Sequence, residues 1–214
     1  MTPDRAAGGP AHDCALCPRL AGFRTDNRTA FPAYFNAPVP SFGAPEPWLL
    51  VVGLAPGLHG ANRTGRPFTG DYAGDLLYET LSAFGLARGA YGRAPDDGLE
   101  LSGCRIANAV RCVPPENKPT PAEAKTCLPF LTAEIAETPS LRALLALGAI
   151  AHNAVLSALE RRKAAFPFAH GAVHELGGLT LFDSYHCSRY NTNTRRLTPE
   201  MFRAVFAQAV TLRP

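Results

Sequence analysis

Two stretches of the chain, WLLVVGL (48–54) and LRALLALG (141–148), are apolar at most positions instead of at every second one, and two more, CRIANAVRC (104–112) and LTLFDSYH (179–186), are short and strand-like with polar residues among them. Runs of this kind predict strands buried on both faces, as in a parallel sheet. Between them the spacing turns helical. In 72–86, Leu76, Leu77, Thr80, Leu81 and Phe84 fall on one face. A second helix is expected over 121–135, with Thr120 as its cap and Pro121 in its first turn. A third spans 149–159, and Thr198 and Pro199 open a fourth over 200–210. Strands alternating with helices predict an α/β fold, a mostly parallel four-stranded sheet covered on both faces. The expected organisation is a flexible tail over 1–13 and a single domain over 14–214. The proline-broken aromatic segment within 14–46 is expected to pack irregularly on its surface. In such sheets ligands bind beyond the carboxyl ends of the strands. Three segments leave those ends: the glycine-rich 53–71, Asn108 with RCVPPENKP after it, and HCSRYNTNT (186–194).

The stretch GLAPGLHGANRTGRPFTGD (53–71) is too long for a dinucleotide or P-loop turn and matches neither glycine motif. Its glycines let backbone approach a flat or anionic ligand. Asn62, Arg63, Thr64 and Arg66 offer polar contacts. Phe68 reads as a stacking platform or as a core plug. Asp71 reads as a site carboxylate or as the cap of the next helix. Together these suit a nucleotide better than a small metabolite.

Composition narrows the setting. A net charge of +3 permits a polyanionic partner without demanding one. No apolar run is long enough to cross a bilayer, and the first residues lack a leader's apolar core, so the cytoplasm is expected. Structural disulfides are rare there, so six cysteines need another account. Cys14 and Cys17 form a CxxC pair; Cys112 and Cys127 form a wider one. Four thiolates suit a tetrahedral zinc or a [4Fe–4S] cluster, against four unrelated buried thiols. Cys104 reads as core, and Cys187 beside His186 is not read as a nucleophile.

On these residues the chain resembles the family 5 uracil-DNA glycosylases, the iron–sulfur branch of the uracil-DNA glycosylase superfamily. Segment 53–71 resembles their first motif, NAVRCVPPENKPTPAEAKTCLPFL (108–131) their second segment, and HCSRYNTNTRRLT (186–198) their last, with the CxxC pair ahead of them. The sister family 4 has an acid where this chain has Leu54. The resemblance implies a three-layer α/β/α fold and a [4Fe–4S] cluster on Cys14, Cys17, Cys112 and Cys127. It implies excision of uracil and other deaminated bases (hypoxanthine, xanthine) from DNA by a monofunctional, monomeric enzyme. Asp71 would orient water and steady the sugar cation. His186 would hold the base's O2, Phe68 stack on the base, and Asn108 meet its edge. Gly53, Ala55, Pro56 and Gly57 would line the pocket. Arg63, Arg66, Ser188, Arg189, Asn191, Arg195 and Arg196 are the expected DNA contacts. Proline is usual after the final motif's histidine; Cys187 in its place predicts a looser or differently angled loop. The alternatives are a cluster-bearing nucleic-acid-binding module without catalysis and a hydrolase of free nucleosides.

Overall fold

The computed structural model describes residues 9–214; of the expected tail, residues 1–8 lie outside the described residues. The chain begins with α1 (Pro18–Ala30), a helix the apolar pattern did not predict. Its sequence, PRLAGFRTDNRTA, has no continuous apolar stripe. It buries Leu20 together with two polar residues, Arg24 and Asn27. Asp13, in the segment just before it, pairs with Arg28 of α1 at 2.7 Å.

β1 (Phe42–Gly43) follows, then β2 (Leu49–Gly53), the short α2 (Ala61–Thr64) and α3 (Tyr72–Ala83). A two-stranded hairpin, β3 (Ala87–Arg88) with β4 (Glu100–Leu101), leads to β5 (Cys104–Asn108). Then come α4 (Pro121–Ala136), β6 (Ala143–Leu147), α5 (Ala149–Ala158), β7 (Val173–Glu175), β8 (Thr180–Ser184), α6 (Arg189–Asn193) and α7 (Pro199–Ala209). The expected caps are present. Thr120 and Glu123 form a full capping box, and Thr198 accepts from the Met201 amide.

The main sheet has six strands, not four, in the order β1-β5-β2-β6-β8-β7. The four expected strands are its parallel centre. The two additions are antiparallel edges of two and three residues, too short to leave a periodic signal. Residues alternate between two cores. Leu49, Val51, Ile106, Leu145 and Phe182 face α3 and α7; Leu50, Val52, Ala107, Leu144 and Leu181 face α4 and α5. The sheet is therefore the middle of three layers.

A buried polar brace ties α5 and β7 to β8. Asp183, wholly buried, meets His152 Nδ1 at 2.7 Å and His174 Nε2 at 3.1 Å, and His152 Nε2 lies 2.9 Å from the Phe166 carbonyl. The three side chains cluster as metal ligands do, but their polar atoms are already engaged with one another and with backbone. The brace sits just before the segment that carries His186.

Candidate active site

Among the parallel strands the order is second, first, third, fourth in chain sequence, so the connection reverses direction between β2 and β6. A crevice is expected at that switch point. A cleft of about 690 Å³ opens there, lined by Leu54, Ala55, Gly57 and Gly60 after β2, Leu147 and Gly148 after β6, and His186, Ser188 and Arg189 after β8. Asp71, Tyr72, Asn117 and Ile150 complete its wall.

Asp71 is both things the sequence allowed. It caps α3, its Oδ1 accepting from the Gly74 amide at 3.2 Å, and it also faces the cleft. It is the one carboxylate among the described lining residues. Burial pushes its carboxyl above the ordinary range, partly offset by the Gly74 and Ala73 amides. A Cβ on Gly57 would stand 3.3 Å from Asp71 Oδ2, and one on Gly60 would collide with that carboxylate. These two glycines are therefore the room in which the acid sits.

His186 lines the same cleft. Burial alone drives its imidazole down to about 4, so the ring is neutral at physiological pH. Its carbonyl accepts from Asn191 Nδ2 at 2.8 Å. The ring stacks on Phe68, with centroids 5.8 Å apart and planes inclined by 28°.

Phe68 is buried and has a left-handed backbone, φ 53°, a conformation that costs a non-glycine residue energy unless its surroundings enforce it. They do. Tyr91 Oη donates to the Phe68 carbonyl at 3.0 Å and accepts from the Gly70 amide at 3.2 Å. Tyr78 Oη donates to the Pro67 carbonyl at 2.7 Å. Asn108, at the end of β5, meets the same ring across Gly53: a Cβ there would stand 2.5 Å from Asn108 Oδ1 and 2.6 Å from the ring edge. Gly53, Phe68, Asn108 and His186 are thus packed as one unit beside the cleft.

The arginines separate into two kinds. Arg66 is not available to DNA. It is buried under Phe42, Tyr78 and Tyr91, with both terminal nitrogens on Asp97 at 2.8 and 2.7 Å and Nε on Thr69 at 2.7 Å. That pairing holds the Asp97 carboxyl well below the usual range. Arg66 is the post on which the Phe68 turn is built. Asn62 is likewise internal, donating to Asn36 at 2.9 Å. Arg63, Arg189, Arg195 and Arg196 are exposed. Arg189 lies over Tyr72 at 5.4 Å, both lining the cleft, and Arg196 lies over Tyr185 at 4.5 Å. Ser188 caps α6 by accepting from the Asn191 amide. Cys187 is an internal residue of its loop. It is wholly buried, and its thiol donates to the Ala73 carbonyl at 3.4 Å, fastening the His186 segment to the start of α3.

Two features escaped the sequence reading. Asn117, inside the expected RCVPPENKP segment, has φ 57° and enters the cleft wall. Tyr190, at the start of α6, is 72% exposed, the most exposed of the large apolar side chains among the described residues.

Away from the cleft, Cys14, Cys17, Cys112 and Cys127 line one small pocket between α1, the exit of β5 and α4. Burial raises the Cys17, Cys127 and Cys112 thiols, the last to about 11. The Arg111 amide donates to Cys127 Sγ at 3.4 Å. Elsewhere among the described residues, His152, His174 and Asp183 bring their ligand atoms within 4.8 Å of one another.

Residues 40–209 match the model of the uracil DNA glycosylase superfamily. The chain is 48% identical to a type-5 uracil-DNA glycosylase of Thermus thermophilus, over 92% of each chain. It is 44% identical to one of Mycobacterium bovis, over 92% of this chain and 76% of that one. Similarity to a type-4 uracil-DNA glycosylase of Pyrobaculum aerophilum is lower, 35% over 60% of this chain and 58% of the other. With the superfamily model matched over most of its length and 48% identity to a type-5 enzyme across 92% of each chain, the chain belongs to the type-5 uracil-DNA glycosylase family.

Proposed function

We propose that the protein is a monofunctional glycosylase that excises uracil, and further deaminated bases such as hypoxanthine and xanthine, from DNA. The observation that carries this is a cleft lined by one described carboxylate together with a neutral histidine stacked on a buried aromatic ring. The target nucleotide leaves the stack, at a cost of a few kcal/mol that is least for mispaired bases. Phe68 and His186 receive the base and Asn108 meets its edge. The bond between C1′ and the base nitrogen breaks with the electron pair leaving on the base. The His186 N–H hydrogen-bonds the oxygen where that charge gathers; a neutral ring does so without becoming a counter-ion. Asp71, ionised, steadies the cationic sugar and orients water. The water oxygen bonds to C1′, and its proton passes to Asp71 or solvent. Leu54 adds no second charge, so the acid duties fall to Asp71. The exposed arginines supply phosphate contacts, and Tyr190 enters the duplex.

The four-cysteine pocket suits a [4Fe–4S] cluster better than a single zinc. The wide spacing of Cys112 and Cys127 departs from the close ligand pairs usual in zinc sites. Cys14, Cys17, Cys112 and Cys127 would hold the cluster, which would pin α1 to the exit of β5 and to α4. We further propose that residues 14–214 form one domain acting as a monomer.

The test is a panel of duplexes, each bearing one modified base, scored for abasic sites. Release of uracil from duplex DNA is expected, with hypoxanthine and xanthine also cut. Binding to every duplex with no abasic site formed would overturn the enzyme reading in favour of a binding module.

A further inference from the structure

Arg24 lies two turns into α1 and is only 5% exposed. One terminal nitrogen stands 3.6 Å from Cys112 Sγ, and the other donates to the Cys14 carbonyl at 2.9 Å. Its Nε is buried and without a hydrogen-bond partner among the described residues. The neighbouring arginines are each matched to a carboxylate: Arg19 to Glu123 at 2.7 Å, Arg28 to Asp13 at 2.7 Å, and Arg111 to Glu134. Arg24 has no such partner among the described residues. A buried guanidinium without a counter-ion is strongly unfavourable. The groups it faces are a sulfur and a carbonyl, at the edge of the pocket that the four cysteines share. The missing negative charge is therefore expected in that pocket. Thiolates bound to a metal group supply it, because coordination removes their protons.

We propose that Arg24 is the built-in counter-ion of the four-cysteine site, offsetting the negative charge of a thiolate-ligated iron–sulfur group and holding that group in the protein. Four thiolates outweigh the positive charge of the iron–sulfide core, so the whole assembly is anionic. Hydrogen bonds to the sulfurs and nearby charge tune the stability of such sites. The Arg111 amide on Cys127 acts in the same direction from the other side. This inference rests on the cluster reading above.

The experiment uses the full chain with its cluster, purified without oxygen. Iron and zinc are counted, and decay of the cluster absorbance in a chelator is timed for the wild type and for Arg24→Lys, Arg24→Gln and Arg24→Met. Gln and Met are expected to lose the cluster about tenfold faster or more, or to purify without it, while Lys stays near wild type. Lys decaying as fast as Gln and Met would show that the guanidinium matters only as packing, and overturn the proposal. Wild-type decay in all three variants would overturn it equally. The metal count separates the two claims: zinc without iron in the wild type sinks the cluster reading and this inference with it, whereas iron with charge-blind decay sinks only the role of Arg24.

Discussion

Replacing Gly53 by alanine perturbs the base-holding unit from inside the sheet. Gly53 is the last residue of β2 and is buried there. A Cβ at this position would lie 2.5 Å from Asn108 Oδ1 and 2.6 and 2.7 Å from two carbons of the Phe68 ring, where ordinary contact begins at 3.4 Å. The ring would have to retreat by about 0.8 Å, the scale at which misplacement costs on the order of 100-fold in rate. Retreat is hindered, because Phe68 is 7% exposed and its carbonyl is held by Tyr91. Asn108 is as tightly placed, at 3%. Overpacking of this kind costs about 1–3 kcal/mol, roughly 2–12 °C of melting temperature for a domain of this size. The assay is single-turnover uracil excision well below the melting point, with thermal unfolding followed in parallel. A folded Gly53→Ala protein is expected to bind duplex but excise about 100-fold more slowly. Excision within about threefold of wild type would refute the claim that Phe68 and Asn108 receive the base.

Tyr91→Phe removes the hydroxyl that joins the Phe68 carbonyl to the Gly70 amide; a loss of about 1–3 kcal/mol in denaturant unfolding is expected, with slower excision and unchanged duplex affinity. Tyr190→Ala, at an exposed position, should leave stability within about 0.5 kcal/mol while weakening binding and excision on duplex more than on single strands. His186 sets a pH signature. Its folded pKa of about 4 lies below the usual 6.5, so below pH 6.5 the unfolded chain takes up the proton first. Stability is full above pH 6.5 and falls as pH drops toward 4; His186→Gln should flatten that part of the curve in unfolding measurements.

How far the sequence led depended on where each residue's partners lie. The central strands were legible because burial on both faces demands unbroken apolar runs, and Leu50 and Val51 show this directly. The capping box of α4 was legible because its partners are three residues apart. α1 was not, since it carries no apolar stripe and buries the polar Arg24 and Asn27 beside Leu20. Arg66 looked like a phosphate contact because its partner, Asp97, lies 31 residues away, and only folding brings the two together. Phe68 was ambiguous between platform and plug, and the fold makes it both, packed into the core and stacked on His186. Asn117 carries no periodic signal at all. Its place in the wall follows from a turn whose residues Glu116 and Asn117 both adopt left-handed backbone, with φ of 54° and 57°.

The central claim is that Asp71 is the acid of the reaction, and Asp71→Asn tests it most directly. Asparagine caps a helix as well as aspartate does, so α3 should keep its start. Burial already disfavours the ionised carboxylate, so the neutral amide should melt at or above the wild-type temperature. Single-turnover excision from a uracil-containing duplex, measured beside duplex affinity, is expected to fall by about 10²- to 10⁴-fold with affinity nearly unchanged. Undiminished uracil release by a folded Asp71→Asn protein would contradict the account.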